Sequence, residues 1–342
     1  MRVKRFVKKA VKAVLPYGIL VLYRYLKRKN NIYTQLEDKS TGNLLVVSDY
    51  QNTSVNNHIP PPPSPYQNIL DGINSLSDST TSNEKTYERL RLIVDFFPHC
   101  EHYLSKICDP KDKSILVIGC GWGTEMLWSI LNGAERVVGI DVADKNDEAL
   151  KIALKLARVS NICDYEIHQM HVEDIAKINQ KFDLVLSNNV FEHLPDISKA
   201  MNACKKMLKD NGKIAIFADP LFYSSCGSHL EHGVFTKGSQ CIAEPWEHLW
   251  NEMGLRNKVG EYKWNSNFAT MNNATLIDFI NAISENNLVI LQFGVIPDRN
   301  LANYSYLEKA LICGKTITDL STEGVFMELA LYKNINDSTG GL

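Results

Sequence analysis

From Ser114 onward the chain alternates short apolar runs with stretches whose apolar residues recur every three or four positions. The runs "SILVIG", "RVVGID", "YEIHQ", "FDLVLS", "KIAIFA", "LVILQFG" and "GVFMELALYK" have the length and composition of strands. Between them, Thr124 to Leu131, Asp147 to Arg158, "ISKAMNACKKMLK" and "TLIDFINAISENN" have helical spacing. Ahead of the first strand, "YERLRLIVDFFPHCEHYLSKI" places Leu90, Ile93, Val94 and Phe97 on one face of a helix that would cover the sheet. Strand and helix in alternation predict an α/β fold with a doubly wound, mostly parallel sheet. Right-handed crossovers put helices on both faces, and ligands then bind outside the carboxyl ends of the strands.

The first eighty-odd residues break this pattern. "MRVKRFVKKAVKAVLPYGILVLYRYLKRK" spaces Val3, Phe6, Val7, Ala10, Val11 and Val14 helically among lysines and arginines. Its apolar stretch "AVLPYGILVLY" contains Pro16 and Gly18 and is far short of the roughly 20 residues a bilayer needs. Residues 1–29 therefore read as a basic segment for an anionic membrane surface, with a targeting peptide or a solvated helix packed on the body as alternatives. From 30 to 84, Asn, Ser, Thr and Pro dominate and "PPPPSPYQ" favours extended backbone, so a spacer or a docked proline strap is expected.

Charge sharpens this division. The net charge is −2, but the first thirty residues hold ten Lys or Arg and no acid, which leaves about −12 on the rest. An acidic body lacks the basic footprint of a nucleic-acid binder. Eight scattered cysteines without a CxxC fit reduced thiols and a cytoplasmic protein, peripheral at a membrane if the basic segment docks there. His99 and His102, three apart, read as a surface pair because no third ligand stands nearby.

The chemistry centres on "LVIGCGWGTE". Gly119, Gly121 and Gly123 give GxGxG, whereas a dinucleotide fingerprint would put its third glycine at Thr124. Glycines let backbone approach a ligand, and amides at a helix start favour its carboxylate. Asp141 closes the second strand, where its oxygens can accept both hydroxyls of a ribose. With "VVGID" and "FDLVLSNNVFEHLPD", residues 88–333 resemble the class I S-adenosylmethionine-dependent methyltransferases of the type 11 and 23 kind.

That resemblance implies a Rossmann-like seven-stranded sheet with an antiparallel last strand, a methyltransferase domain over 85–335, and S-adenosylmethionine as cofactor. It places the cofactor's amino-acid part at Gly119, Gly121 and Gly123, its ribose at Asp141, its adenine edge at Val142 and its methionine end at Asn188. "HVEDI" would be the adenine loop, with His171 where the family has an acid, Val172 beside it and Asp174 as a substitute. Many members carry an acid at the place held here by Val117. Glu125, just inside the following helix, stands in the same neighbourhood and is the candidate to replace it.

An insert over 219–270 follows the fifth strand and is expected to cap the acceptor side. It holds His229, His232 and His248, which compete with His193 as general base for a hydroxyl acceptor; His193 reads equally as a cofactor contact. Trp246 and Trp250 read as core. No metal is expected, since His229, His232 and Asp219 lack a ligand signature. The patterns "DPLFYSSCGSHL" and "PWEHLW" resemble methyltransferases of surface-polysaccharide biosynthesis. Methyl transfer to a hydroxyl of a sugar or glycan by in-line displacement is therefore the leading expectation. The alternatives are a small-molecule methyltransferase of the quinone or secondary-metabolite kind and a non-catalytic S-adenosylmethionine-binding scaffold.

Overall fold

The computed structural model describes residues 45–46, 64–75, 84–143, 147–159, 163–230, 243–260 and 268–332. The basic segment 1–29 and His232 lie outside the described residues. The chain divides into two compact units. A sheet unit comprises residues 52–219, 277–293 and 325–342, and a flanking unit comprises 1–51, 220–276 and 294–324.

Strands β1 (Leu45–Val46), β2 (Ser114–Ile118), β3 (Arg136–Asp141), β4 (Asp164–Gln169), β5 (Phe182–Asn188), β6 (Leu208–Ala218), β7 (Leu288–Pro297) and β8 (Thr322–Leu331) form one sheet. Its order is β1-β7-β8-β6-β5-β2-β3-β4. β2, β3, β4, β5 and β6 pair in parallel, and β8 runs antiparallel to β6. Without the two-residue edge strand β1, this is the seven-stranded, mostly parallel Rossmann-like sheet with an antiparallel last strand expected from the sequence. Every residue of β2 is buried, as a central parallel strand requires. β4, at the sheet edge, is only half-buried, and Arg136 ties it to β3 through ion pairs with Asp164 and Glu166.

Part of the segment expected to be a spacer is helical: α1 covers Ser64–Ser75. Tyr66, Ile69 and Ile73 are buried, Tyr66 stacks on Phe97 with ring centroids 4.4 Å apart, and its hydroxyl donates to the Val94 carbonyl at 2.9 Å. Prolines set backbone direction only locally, so the apolar spacing of Tyr66, Ile69 and Ile73 prevails once the proline run ends. The expected cover helix is α2 (Glu84–Leu104), with Leu90, Ile93, Val94 and Phe97 all within 3 % of full burial. α3 (Thr124–Leu131) follows the glycine turn, and its Trp128 indole donates to Glu101 of α2 at 2.8 Å. α4 (Glu148–Leu156) joins them through Thr86, whose hydroxyl donates to Glu148 at 3.0 Å.

α5 (Ile197–Lys206) is capped by Asp196, which accepts the Lys199 amide at 2.9 Å. In the flanking unit lie α6 (Glu247–Trp250) and α7 (Glu252–Val259); α8 (Leu276–Glu285) belongs with the sheet unit. α9 (Tyr304–Ile312) and α10 (Ile317–Leu320) fill the stretch before β8, which the apolar pattern left unassigned. Trp246, Leu307, Ala310 and Leu320 form one core of this unit, and Leu230, Ala243, Leu255 and Phe268 another. Among the described residues no helix is long and apolar enough to cross a membrane.

Candidate functional site

The site is built where β2, β3 and β5 end. β2 runs directly into the glycine turn, whose Gly119, Gly121 and Gly123 have φ of 68°, 50° and 104°. These are left-handed conformations in which a side chain is strained. The reasons for glycine differ along the turn. A Cβ on Gly119 would stand 2.2 Å from Val190 Cγ2, whereas one on Gly121 would meet nothing within 4 Å. Gly119 is thus required by packing, and Gly121 leaves backbone bare beside open space.

Asp141 ends β3 and organises the same turn. Its Oδ2 accepts the Gly121 amide at 2.9 Å, and its Oδ1 accepts the Ala143 amide at 3.0 Å. A carboxylate oxygen can accept more than one hydrogen bond. Val142, next in the chain, is 60 % exposed and offers an apolar surface beside that carboxylate. The structure therefore brings Asp141 and Val142 beside the glycine turn. The adenine-loop candidates follow β4: Val172 is buried, His171 is exposed, and Asp174 pairs with Lys177 at 2.8 Å. That lysine holds the Asp174 carboxyl below the usual range, so its acceptor capacity is already partly used.

Asn188, the last residue of β5, is 7 % exposed and donates through Nδ2 to Glu125 Oε1 at 2.8 Å. The Cys100 thiol of α2 lies 3.8 Å from the same oxygen. Burial pushes the Glu125 carboxyl above its ordinary value against the pull of Asn188, and Asp141 adds to the rise. Val117 is fully buried in β2. The contact between α2 and Glu125 was not legible, because nothing local to Cys100 marks a thiol eighty-eight positions from Asn188 as its neighbour. Arg89, also of α2, stacks its guanidinium 4.5 Å from the Trp122 ring of the glycine turn.

His193 closes a one-turn 3-10 helix (Phe191–His193) just after β5, half-buried, with its amide donating to Val190 at 2.9 Å. The preceding Glu192 was not singled out in the sequence, although it shares the "FEH" motif. It is fully buried, and neither carboxylate oxygen makes a hydrogen bond of ordinary geometry among the described residues. Burial raises its pKa well above the carboxylate range, and the nearby charge of Asp219 raises it further.

Two histidine expectations are corrected. His99 is not a surface residue: its ring packs edge-on against Phe217 at 5.3 Å, and burial lowers its pKa to about 4. His102 remains exposed, within 3.0 Å of Lys106 Nζ. His248 is 3 % exposed, its Nε2 is 2.7 Å from the Phe222 carbonyl, and its ring lies edge-on to Phe222 and Phe268. Burial brings its pKa to about 4. An aromatic side chain between two phenylalanines with one nitrogen committed to backbone is a packing residue, so His248 leaves the set of candidate bases. His229 is half-buried in the flanking unit with φ 51°. Trp246 is fully buried as expected, while Trp250 is half-buried and stacks on Tyr306 at 6.2 Å.

Residues 116–216, from β2 to β6, match the family described as a methyltransferase domain. The curated relatives include the ubiquinone biosynthesis O-methyltransferase of Neisseria meningitidis serogroup C, 31 % identical over 36 % of this chain and 51 % of that protein. The enzyme of the same name from Rhizobium etli is 34 % identical over 30 % of this chain and 39 % of its own. The chain thus spans about half the length of the curated relatives it matches. Among solved structures, a putative S-adenosylmethionine-dependent methyltransferase from Listeria monocytogenes is 18 % identical over 67 % of this chain and 95 % of its own, with a TM-score of 0.43. Both curated relatives are named for ubiquinone biosynthesis and lend no support to the sugar-specific part of the sequence resemblance.

Proposed function

We propose that this chain is an S-adenosylmethionine-dependent methyltransferase that methylates a hydroxyl of a small-molecule acceptor. The observation that carries the reading is the pairing of the Gly121 amide with Asp141 Oδ2 beside space that no side chain fills. The residues fit that cofactor by their own chemistry. Gly121 lets backbone approach, Asp141 offers a carboxylate at the end of β3 to ribose hydroxyls, and Val142 supplies an exposed apolar surface for a flat base. Gly119 and Gly123 shape the turn, and Val172 and His171 stand after the neighbouring strand on the adenine side. When bound, the cofactor supplies an electrophilic methyl on a sulfonium, which leaves the protein to align the partners and to accept a proton.

His193 is the residue proposed to take that proton. It stands directly after β5, five positions beyond Asn188, and is half-buried. The small-molecule class is favoured over a glycan because the curated relatives are named for ubiquinone biosynthesis. Calorimetric titration with S-adenosylhomocysteine tests the cofactor half: binding is expected, and Asp141→Ala should weaken it at least tenfold. Release of S-adenosylhomocysteine from S-adenosylmethionine is then measured with phenolic quinone precursors and with sugar acceptors. Turnover confined to the sugars would overturn the acceptor assignment. His193→Ala should lower turnover far more than cofactor affinity; equal losses would make it a cofactor contact.

A further inference from the structure

The ring of His99 carries a polar atom that its packing leaves unused. Helix α2 lays His99 and Tyr103 against Phe217 of β6. The His99 ring is edge-on to Phe217 at 5.3 Å, Tyr103 is tilted over Phe217 at 4.7 Å, and the two α2 rings are 4.7 Å apart. Such contacts ask only for an aromatic face and edge, which phenylalanine would supply as well. Yet Nε2 of His99 is enclosed and has no hydrogen-bond partner among the described residues. An enclosed nitrogen without a partner costs free energy that an apolar ring would avoid. His248 also has an unpartnered nitrogen, but its other nitrogen is anchored 2.7 Å from the Phe222 carbonyl. His99 as a whole is half-buried, so its ring is not sealed within a core.

The place of this ring in the sheet suggests what the nitrogen meets. Phe217 and Asn188 are register partners on the parallel strands β6 and β5, so their side chains leave the same face of the sheet. Helix α2 covers that face here: Cys100, next to His99, has its thiol 3.9 Å from Asn188 Nδ2. Both strands end at this point, with Asn188 closing β5 and Phe217 one residue short of the end of β6. Along the sheet the order is β6-β5-β2-β3. The donor reading proposed above sets the adenosine at the end of β3 and the methionine end beside β2 and β5. On the methionine side, the adjoining strand end is that of β6, and ligands of such sheets bind outside the carboxyl ends of the strands.

We infer that His99 binds and orients the acceptor, its Nε2 forming a hydrogen bond with an acceptor hydroxyl at the end of β6. This rests on the small-molecule reading proposed above and adds a residue, carried on the cover helix, that selects the acceptor. A neutral imidazole presents at Nε2 either an N–H or a lone pair, and a hydroxyl, being donor and acceptor, suits both. Burial, with His102 adding to it, lowers the His99 pKa to about 4. The ring therefore stays neutral near pH 7 and holds a hydroxyl without taking its proton, a task left to His193.

The test follows methylation of catechol by the full chain, scored as S-adenosylhomocysteine released from S-adenosylmethionine. His99→Phe keeps the three-ring packing and removes both nitrogens. It should raise the KM for catechol about tenfold and leave kcat within about twofold. Calorimetric affinity for S-adenosylhomocysteine should be unchanged, which also shows that the variant is folded. Its pH–rate profile between about pH 6 and 9 should keep the wild-type shape, because a ring neutral throughout adds no titration there. His99→Gln restores a hydrogen-bonding group and should recover part of the KM. An unchanged KM in His99→Phe, or equal losses for catechol and S-adenosylhomocysteine, would make His99 a packing residue and overturn the inference while leaving the acceptor reading intact. An altered pH profile would make His99 the proton acceptor in place of His193 and would overturn it as well. Wild-type protein that leaves catechol unmethylated would overturn the phenolic acceptor reading, and this inference with it.

Discussion

Gly119 and Gly121 look equivalent in "GCGWG", yet a single added methyl group should separate them. At Gly119 the methyl would drive into Val190, a β-branched side chain with little rotamer freedom, 2.2 Å away. Gly119→Ala therefore combines left-handed strain with overpacking and should cost roughly 2–5 kcal/mol of stability. At Gly121 the methyl meets nothing within 4 Å, so Gly121→Ala should cost only about 1–2 kcal/mol. It should nonetheless weaken S-adenosylhomocysteine more than tenfold, because the added group stands where the ligand approaches. Urea unfolding and calorimetry on the two variants measure both quantities. A Gly121→Ala protein with unchanged affinity would remove that backbone from the site. The sequence singled out both glycines, but only packing against Val190 tells structure from function between them.

At the scale of elements, helix α1 shows how a local rule yields to a neighbouring one. The prolines suggested an extended strap, but from Ser64 onward the chain is helical, and Tyr66 stacks on Phe97 and donates to the Val94 carbonyl of α2. Gly72 permits close approach to α4, since a Cβ there would lie 2.6 Å from Leu156 Cδ2. Tyr66→Phe keeps the stacked ring and deletes the hydroxyl that reaches the Val94 carbonyl. It should lower stability by about 1 kcal/mol. Unchanged unfolding would mean that the hydroxyl is as well served by water. Helices α2 to α5 were legible because each buries one face, and burial imprints its period on the sequence; the central strands were legible as short, nearly continuous apolar runs, being buried on both faces. Helices α9 and α10 were not, being short and packed around Trp246 by residues with no sustained period.

At the scale of the whole molecule, the flanking unit carries a charge arrangement with a consequence for pH. Asp298 is 3 % exposed and accepts the amides of Ser225 and Asn300, the latter at 2.8 Å. Glu323, fully buried nearby, is paired with Arg299, whose Nε lies 2.7 Å from Oε1. Burial first, and then the Glu323 charge, raise the Asp298 pKa from 3.8 to about 7. A carboxyl whose folded pKa is raised binds its proton more tightly folded than unfolded. Its contribution to stability is therefore complete below about pH 4 and is lost as pH rises toward and through about 7. Asp298→Asn mimics the protonated form, so thermal unfolding of the variant should lack the decline expected of the wild type between about pH 4 and 7. Parallel curves for the two proteins would assign the decline to other groups.

The sequence by itself determined the α/β sheet, its glycine turn, and the strand-end positions of Asp141, Asn188 and His193. Those features follow from periodicity and from residues adjacent along the chain. Tertiary structure alone decided that His248 is core, that His99 is enclosed, and that Cys100, Glu125 and Asn188 meet. Burial and the neighbours of a charged group arise from chain segments far apart in sequence, and no local pattern encodes them. An ionisable side chain looks the same in a sequence whether it faces water or a phenylalanine, and only packing settles what its charge can do.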